Sequence, residues 1–178
     1  MALKATVHKA ELNIADMDRH YYQNHTLTLA CHPSETAERM MVRLLAFALN
    51  AHERLSFTKG IGSDEEPDLW QKSLSDEIEL WIDLGQPDEK RIRKACGRAK
   101  QVIIYTYSGR GATLWWEQNK SGLQRFTNLR LVHLKSDSVE ALGQLADRSM
   151  DLQCSIQDGQ VWLSDATRNV EVQFNQLD

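Results

Sequence analysis

At 178 residues, with 42% hydrophobic and 26% charged side chains, the chain is long enough for one globular domain and too apolar to be disordered. A net charge of −4 argues against non-specific coating of nucleic acid, so any such contact must come from a local basic patch. Cys31, Cys96 and Cys154 lie far apart with no CxxC or CxxH spacing, which argues against a zinc framework or a disulfide scaffold and suits a reducing cytosol.

The opening MALKATVHKAEL lacks the apolar core of a signal peptide. The most hydrophobic run, MMVRLLAFAL, is broken by Arg43 and falls short of the ~20 residues a membrane span needs. The expected setting is therefore the cytoplasm, with no membrane contact. LKATVHKAELNIAD and RHYYQNHTLTLACH read as two strands of a hairpin through MDRH, the second marked by Leu27, Leu29 and Cys31 alternating with Thr26 and Thr28. His20, His25 and His32 fall in or beside it. They lack a helical i, i+4 pairing, so they read as ordinary histidines rather than metal ligands.

A long helix is expected from Ser34 as N-cap to His52, with Ala37, Met40, Met41, Leu44, Phe47, Ala48 and Ala51 as its buried stripe. Glu35 and Glu38 suit the positive end of that helix. Glu38, at the edge of the stripe, either points into a cleft or serves only the dipole. RLSFTK follows as a short strand and GIGSDEEP as a loop; its two glycines precede no Lys-Ser/Thr and no helix, so they make no phosphate loop.

Between Asp64 and Glu89 lie ten of the 25 acidic residues and one base, Lys72; the next eleven residues hold six bases and no acid. PDLWQKSL reads as a strand with Asp68, Trp70 and Lys72 on one face. EIELWIDLG reads as its antiparallel neighbour, with Ile78, Leu80, Ile82 and Leu84 on the core face and Glu77, Glu79, Trp81 and Asp83 on the other. Asp83 is thus expected on the solvated side, where replacing it would cost little stability. Two carboxylates on adjacent strands either bind a hard cation such as Mg²⁺ or are merely solvated. From Asp88 a helix carries Ile92, Ala95, Cys96 and Ala99 as its apolar stripe. Lys90, Arg93, Lys94 and Arg98 lie off that stripe, available to phosphates or simply solvated.

QVIIYTYS, almost continuously apolar, reads as a strand buried on both faces and reached by the helical crossover. The C-terminal third reads as mixed α/β. It comprises a helix over GATLWWEQNKSGLQRF with Leu114, Trp115 and Leu123 inward, a strand LRLVHL, a helix SVEALGQLADR and a hairpin turning at Asp158-Gly159, with NVEVQF as a last strand. It is expected to extend the central sheet.

The order αβββαβ from Ser34, with Pro67-Asp68 opening the second core strand and Asp83 near the end of the third, resembles the PD-(D/E)xK nuclease superfamily. HPSETAERMMVRLLAFAL, GIGSDEEPDLW and ELWIDLGQPDEKRIRKACGRA are similar to the signature segments of the YaeQ family, bacterial cytosolic proteins regarded as a variant of that fold. The fold expected on this footing is a mixed α+β sheet within one domain, 1–178: an N-terminal hairpin (1–32), a restriction-endonuclease-like core (34–108) and an α/β extension (109–178).

The resemblance implies that Asp68 is the motif aspartate, Asp83 the second acid and Glu38 the helix carboxylate, together holding Mg²⁺ or Mn²⁺. Where the pattern carries lysine two residues beyond the second acid, this chain has Gly85. Gln86, Lys90 or Lys94 would have to stand in, with Lys90 nearest the strand's end. Lys90, Lys94 and Arg98 would contact a nucleic-acid backbone. Two functions are therefore open: metal-dependent hydrolysis of phosphodiester bonds, or a non-catalytic nucleic-acid or protein-binding module that kept the fold after losing the lysine. A third reading, in which the clustered acids mimic nucleic-acid charge for a basic partner, rests on composition.

Overall fold

The computed structural model describes residues 4–59 and 65–177, so the part of the GIGSDEEP loop from Gly60 to Asp64 lies outside the described residues. In chain order the elements are β1 (Thr6–Asp16), β2 (Tyr21–Cys31), α1 (Ala37–Leu49), β3 (Leu55–Phe57), β4 (Leu69–Lys72), β5 (Ile78–Leu84), α2 (Glu89–Arg98) and β6 (Gln101–Thr106). They continue as α3 (Arg110–Leu123), β7 (Leu129–Leu134), α4 (Ser136–Gly143), β8 (Ser149–Gln157), β9 (Gln160–Ser164), β10 (Asn169–Val172) and β11 (Phe174–Gln176). The described residues fall into two compact units, one within Met1–Ala48 and Asp137–Gln173, the other within Leu49–Ser136 and Phe174–Asp178. No helix among the described residues is long and apolar enough to cross a membrane.

The first unit is built on a five-stranded sheet in the order β10-β9-β8-β1-β2. β1 and β2 pair antiparallel in unbroken register from Thr6↔Cys31 to Asp16↔Tyr21, the expected hairpin. On β1's other side lies β8, in parallel, so β8 to β10 complete the sheet of the N-terminal hairpin instead of extending the central one. The reason is visible in the period of two: Ala10, Leu12 and Ile14 are buried, and so are Met150, Leu152, Cys154 and Ile156 of the neighbour, which gives both strands one apolar face.

The turn between β8 and β9 is the expected Asp158-Gly159, with φ of 53° and 77° as a type I′ turn requires. NVEVQF is two strands, not one. It breaks at Gln173, whose N–H donates to the Ser138 hydroxyl (2.9 Å); β10 stays in this sheet, and β11 joins the other.

Helix α1 begins three residues later than Ser34. Thr36 caps it, its hydroxyl accepting the Arg39 N–H (3.1 Å), while the Ser34 hydroxyl is bound to His32. Arg43, which interrupts the apolar run, is itself buried: it donates to Glu35 (2.8 Å) and to the Ala30 carbonyl (3.0 Å), so its charge is met inside the unit.

The second unit carries a six-stranded sheet in the order β11-β7-β6-β5-β4-β3. β3, β4 and β5 run antiparallel to their neighbours, whereas β5, β6 and β7 run parallel, as helical crossovers require. Those crossovers overturn one expectation. The face of β5 bearing Trp81 and Asp83 is not solvated, because Trp81 packs in one core with Ile92 and Ala95 of α2, Val102 and Ile104 of β6, and Trp115 and Leu123 of α3. Asp83 is 2% exposed. β6 is buried on both faces, as its composition indicates. In α3, Trp115 and Leu123 turn inward, but Leu114, expected beside them, is 61% exposed.

Candidate functional site

The two aspartates come together where β4 meets β5. Asp68 stands just before β4, its N–H donating to the Ile82 carbonyl (3.0 Å) and its carbonyl accepting from the Thr58 N–H (3.2 Å). Its carboxylate Oδ2 accepts the N–H of Leu84 at 2.9 Å. That amide belongs to the peptide joining Asp83 to Leu84, so the Asp68 carboxyl lies against the backbone of Asp83. Both side chains are buried.

Asp83 is paired with a cation of the following helix. Arg91, in the first turn of α2, meets it as a fork, with Nε 2.9 Å from Oδ2 and Nη2 3.1 Å from Oδ1. The same Nη2 donates to the Glu66 carbonyl at 2.9 Å, which ties the segment before β4 to the helix. Helix geometry sets Arg91 in place: Asp88 is the N-cap, its carboxylate accepting the Arg91 N–H at 2.8 Å, so the expected start at Asp88 falls one residue outside α2. The indole of Trp81 lies beneath two cations of this helix, Arg91 (5.9 Å to the ring centroid) and Arg98 (5.1 Å), and Trp70 meets it edge-on. Lys72 lies over the Trp70 ring (4.0 Å to its centroid).

The other expected residues are dispersed. Lys90 is exposed and makes no hydrogen bond or ion pair among the described residues, and Arg93 is in the same state. Lys94 and Arg98 are engaged: Lys94 donates to the Glu65 carboxylate (2.7 Å) and Arg98 to the Glu65 carbonyl (2.8 Å). The hydrogen bond from Lys94, reinforced by its charge, holds the Glu65 carboxyl below the usual glutamate range. Gln86 is exposed beside the start of α3, where a Cβ on Gly111 would stand 3.2 Å from its Nε2. Glu38 belongs to the first unit, where it lies against Gly143.

Gly85, at the motif lysine's position, has φ of +97°, a conformation L side chains rarely adopt, although the space a Cβ would enter is open. The acid-rich stretch is also locally neutralised. Besides Glu65 and Asp83, Glu79 pairs with Arg54 (3.2 Å), Glu77 with Lys100 (3.4 Å) and Asp76 with Lys72 (3.6 Å).

A hard divalent ion takes about six oxygen ligands. Here one oxygen of Asp68 holds a backbone amide and both oxygens of Asp83 hold a guanidinium, so with Arg91 in place the donor set does not fit such an ion. No group of three or more His, Cys, Asp or Glu side chains able to hold a metal stands together among the described residues. Arg91 is the residue that sequence reasoning missed. The signal was present, since it lies four residues before Ala95, on the helix face that packs inward, where a charge needs a buried partner.

Known proteins with the same architecture exist. The family model described as YaeQ protein matches residues 1–174. Uncharacterized protein YaeQ of Escherichia coli (strain K12) is 51% identical over 172 residues, covering 97% of this chain and 95% of that protein. Its counterpart in Salmonella typhi is 50% identical over 174 residues, covering 98% and 96%. The crystal structure of YaeQ protein from Xanthomonas axonopodis pv. citri superposes with a TM-score of 0.93 at 49% identity over 97% of both chains. That of YaeQ protein from Pseudomonas syringae gives 0.93 at 34% identity over 98% of this chain and 96% of the other.

Proposed function

The chain belongs to the YaeQ family, and from that premise we propose that it is a cytoplasmic, non-catalytic nucleic-acid-binding module on a PD-(D/E)xK nuclease-like fold. The architecture supports the fold reading through its succession of helix, three strands, helix and strand from α1 to β6, with Pro67-Asp68 entering the second strand and Asp83 near the end of the third. The absence of turnover rests on one observation: the Asp83 carboxylate is closed by the Arg91 guanidinium. Hydrolysis of a phosphodiester needs an activated water and a positive group aimed at the developing charge. Arg91 supplies charge but is held by Asp83 and Glu66, and Gly85 offers nothing to orient a water.

Binding falls to the outer side of α2, where Lys90 and Arg93 are exposed and unengaged among the described residues. Such cations displace the condensed counterions of a phosphate backbone, and they do so without reading bases. Three free thiols fit the cytoplasmic setting, and burial pushes Cys96 up to about 11 and Cys154 up to about 12, leaving both unreactive.

The deciding experiment incubates the protein with single- and double-stranded DNA and RNA, with Mg²⁺ or Mn²⁺ and with chelator, beside Asp68→Ala/Asp83→Ala. Binding is expected to be the same in chelator as in metal, and to weaken with a shallower salt dependence in Lys90→Glu/Arg93→Glu. Cleavage above that of the double alanine variant would restore metal-dependent hydrolysis. Failure to bind any of the four substrates would remove the nucleic-acid reading altogether.

A further inference from the structure

β2 is an outer strand of its sheet, and alternation fixes which of its backbone groups point outward. On β1, the N–H of Lys9 donates to the Arg148 carbonyl, and the N–H of Met17, just past the strand, to the Ile156 carbonyl, so the odd residues of β1 face β8 and the even ones face β2. The pairs His8↔Leu29, Ala10↔Leu27, Leu12↔His25 and Ile14↔Gln23 are then the hydrogen-bonded ones. The N–H and C=O groups of Tyr22, Asn24, Thr26, Thr28 and Ala30 therefore face away from the sheet. Arg43 agrees with this, since it reaches the outward carbonyl of Ala30. The outward backbone groups of the other four residues meet no partner among the described residues.

Natural sheets protect such edges with short strands, charges, proline, bulges or a covering element. Three of the four sheet edges among the described residues are short: β10 has four residues, β3 and β11 three each. β2 has eleven, with no Lys, Arg, Asp, Glu, Pro or Gly and no bulge in its register.

We propose that a second copy of this chain pairs antiparallel along β2 about a twofold axis at His25, joining two five-stranded sheets into one. Tyr22 would then face Thr28 of the partner subunit and Asn24 would face Thr26 of the partner subunit, each pair exchanging two hydrogen bonds, so every free outward group finds a partner. Shifting the axis to Thr26 would call on the Ala30 carbonyl, which Arg43 already holds, and shifting it to Asn24 would set Thr28 against His20, outside the strand. A strand offers its own copy no obstacle when its side chains are neutral, because like charges directly opposite are what destabilise homotypic pairs. His25 meets this condition as well: burial lowers its pKa, and it packs against Tyr21 and Phe47.

The test is sedimentation equilibrium of the full chain at neutral pH over a wide range of concentration. The expected mass is twice 20.4 kDa. Tyr22→Glu/Thr28→Glu opposes acids across the axis and should halve that mass; Tyr22→Lys/Thr28→Glu opposes unlike charges and should restore it. Circular dichroism of each variant reports whether the sheet survives, and Asn24→Pro, which removes an outward N–H together with the side-chain oxygen that accepts from Asn13 of β1, serves as a second dissociating variant. A wild type that stays monomeric throughout, or a dimer whose mass ignores both dissociating variants, would overturn the proposal.

Discussion

The Arg91 guanidinium grips both carboxylate oxygens of Asp83 at 2.9 and 3.1 Å, and the acid so held is almost fully buried. An aspartate expected to stand in solvent is thus the inner half of an ion pair, and the consequences run opposite to those of an exposed acid. Removing one partner leaves a buried charge without compensation, which typically costs about 3–5 kcal/mol. Because the Arg91 side chain retains 24% exposure, water recovers part of this. Arg91→Ala and Asp83→Asn should each lose about 2–4 kcal/mol in urea unfolding. Replacing both together should cost less than the sum of the two, since neither charge is then stranded.

Gly85 should resist the substitution that would complete the motif. With φ at +97°, any side chain there carries backbone strain of about 1–3 kcal/mol even though the space is open. Gly85→Lys is expected to destabilise by that order, and Gly85→Asn by less, because Asn tolerates positive φ better. Gly85→Lys should also fail to confer hydrolysis, since Arg91 still occupies Asp83. Urea unfolding and the cleavage assay on the same preparation check both halves of this expectation.

Much of the fold was legible because alternation and composition are local. The first hairpin, the doubly buried β6 and the type I′ turn at Asp158-Gly159 follow from residues that are neighbours in the chain. What escaped was decided by partners far along it. The period of two in EIELWIDLG separates two faces but does not say which is wet. That depends on α2 and α3, which pack over Trp81. β8 to β10 join β1 instead of the central sheet because a parallel partner more than a hundred residues away offers a matching apolar face, which no local pattern records. At the site, the adjacency of Asp68 and the Asp83 strand was readable from a short hairpin connection. The claim of Arg91 on Asp83 was hidden in a run of like bases whose members the helix sends in different directions.

Acid should act on the segment before β4 through Glu65. Its pKa lies below the ordinary value of 4.5, chiefly through the hydrogen bond from Lys94, so the folded state binds that proton less readily than the unfolded chain does. The stabilisation is therefore complete above the ordinary glutamate range and is lost as pH falls through the lowered folded value. Because Glu65 is exposed, the effect should be small and screened by salt. The thermal midpoint of Glu65→Gln should run parallel to that of wild type at neutral pH and converge with it in acid. A constant gap across the whole range would assign the Lys94 contact no electrostatic part.

Asp18 joins the two turns at one end of the five-stranded sheet, and its loss should be felt there. Its carboxylate accepts the N–H groups of both Asp158 and Gly159, at 2.8 and 2.9 Å, so a side chain from the β1–β2 turn fixes the positive-φ corner of the β8–β9 hairpin. Hydrogen bonds to a charged acceptor contribute more than neutral ones, yet this pair is exposed and water competes for it. Asp18→Ala should cost about 1–2 kcal/mol and Asp18→Asn roughly half that, because the amide keeps one accepting oxygen. Urea unfolding gives the totals, and hydrogen exchange gives the location. Faster exchange confined to Asp158 and Gly159 is expected, since their N–H groups lose their acceptor while the ladder between β8 and β9 remains paired. If the Asp18→Ala variant instead exchanged faster all along β8, the carboxylate would be holding the hairpin's register and not merely its corner.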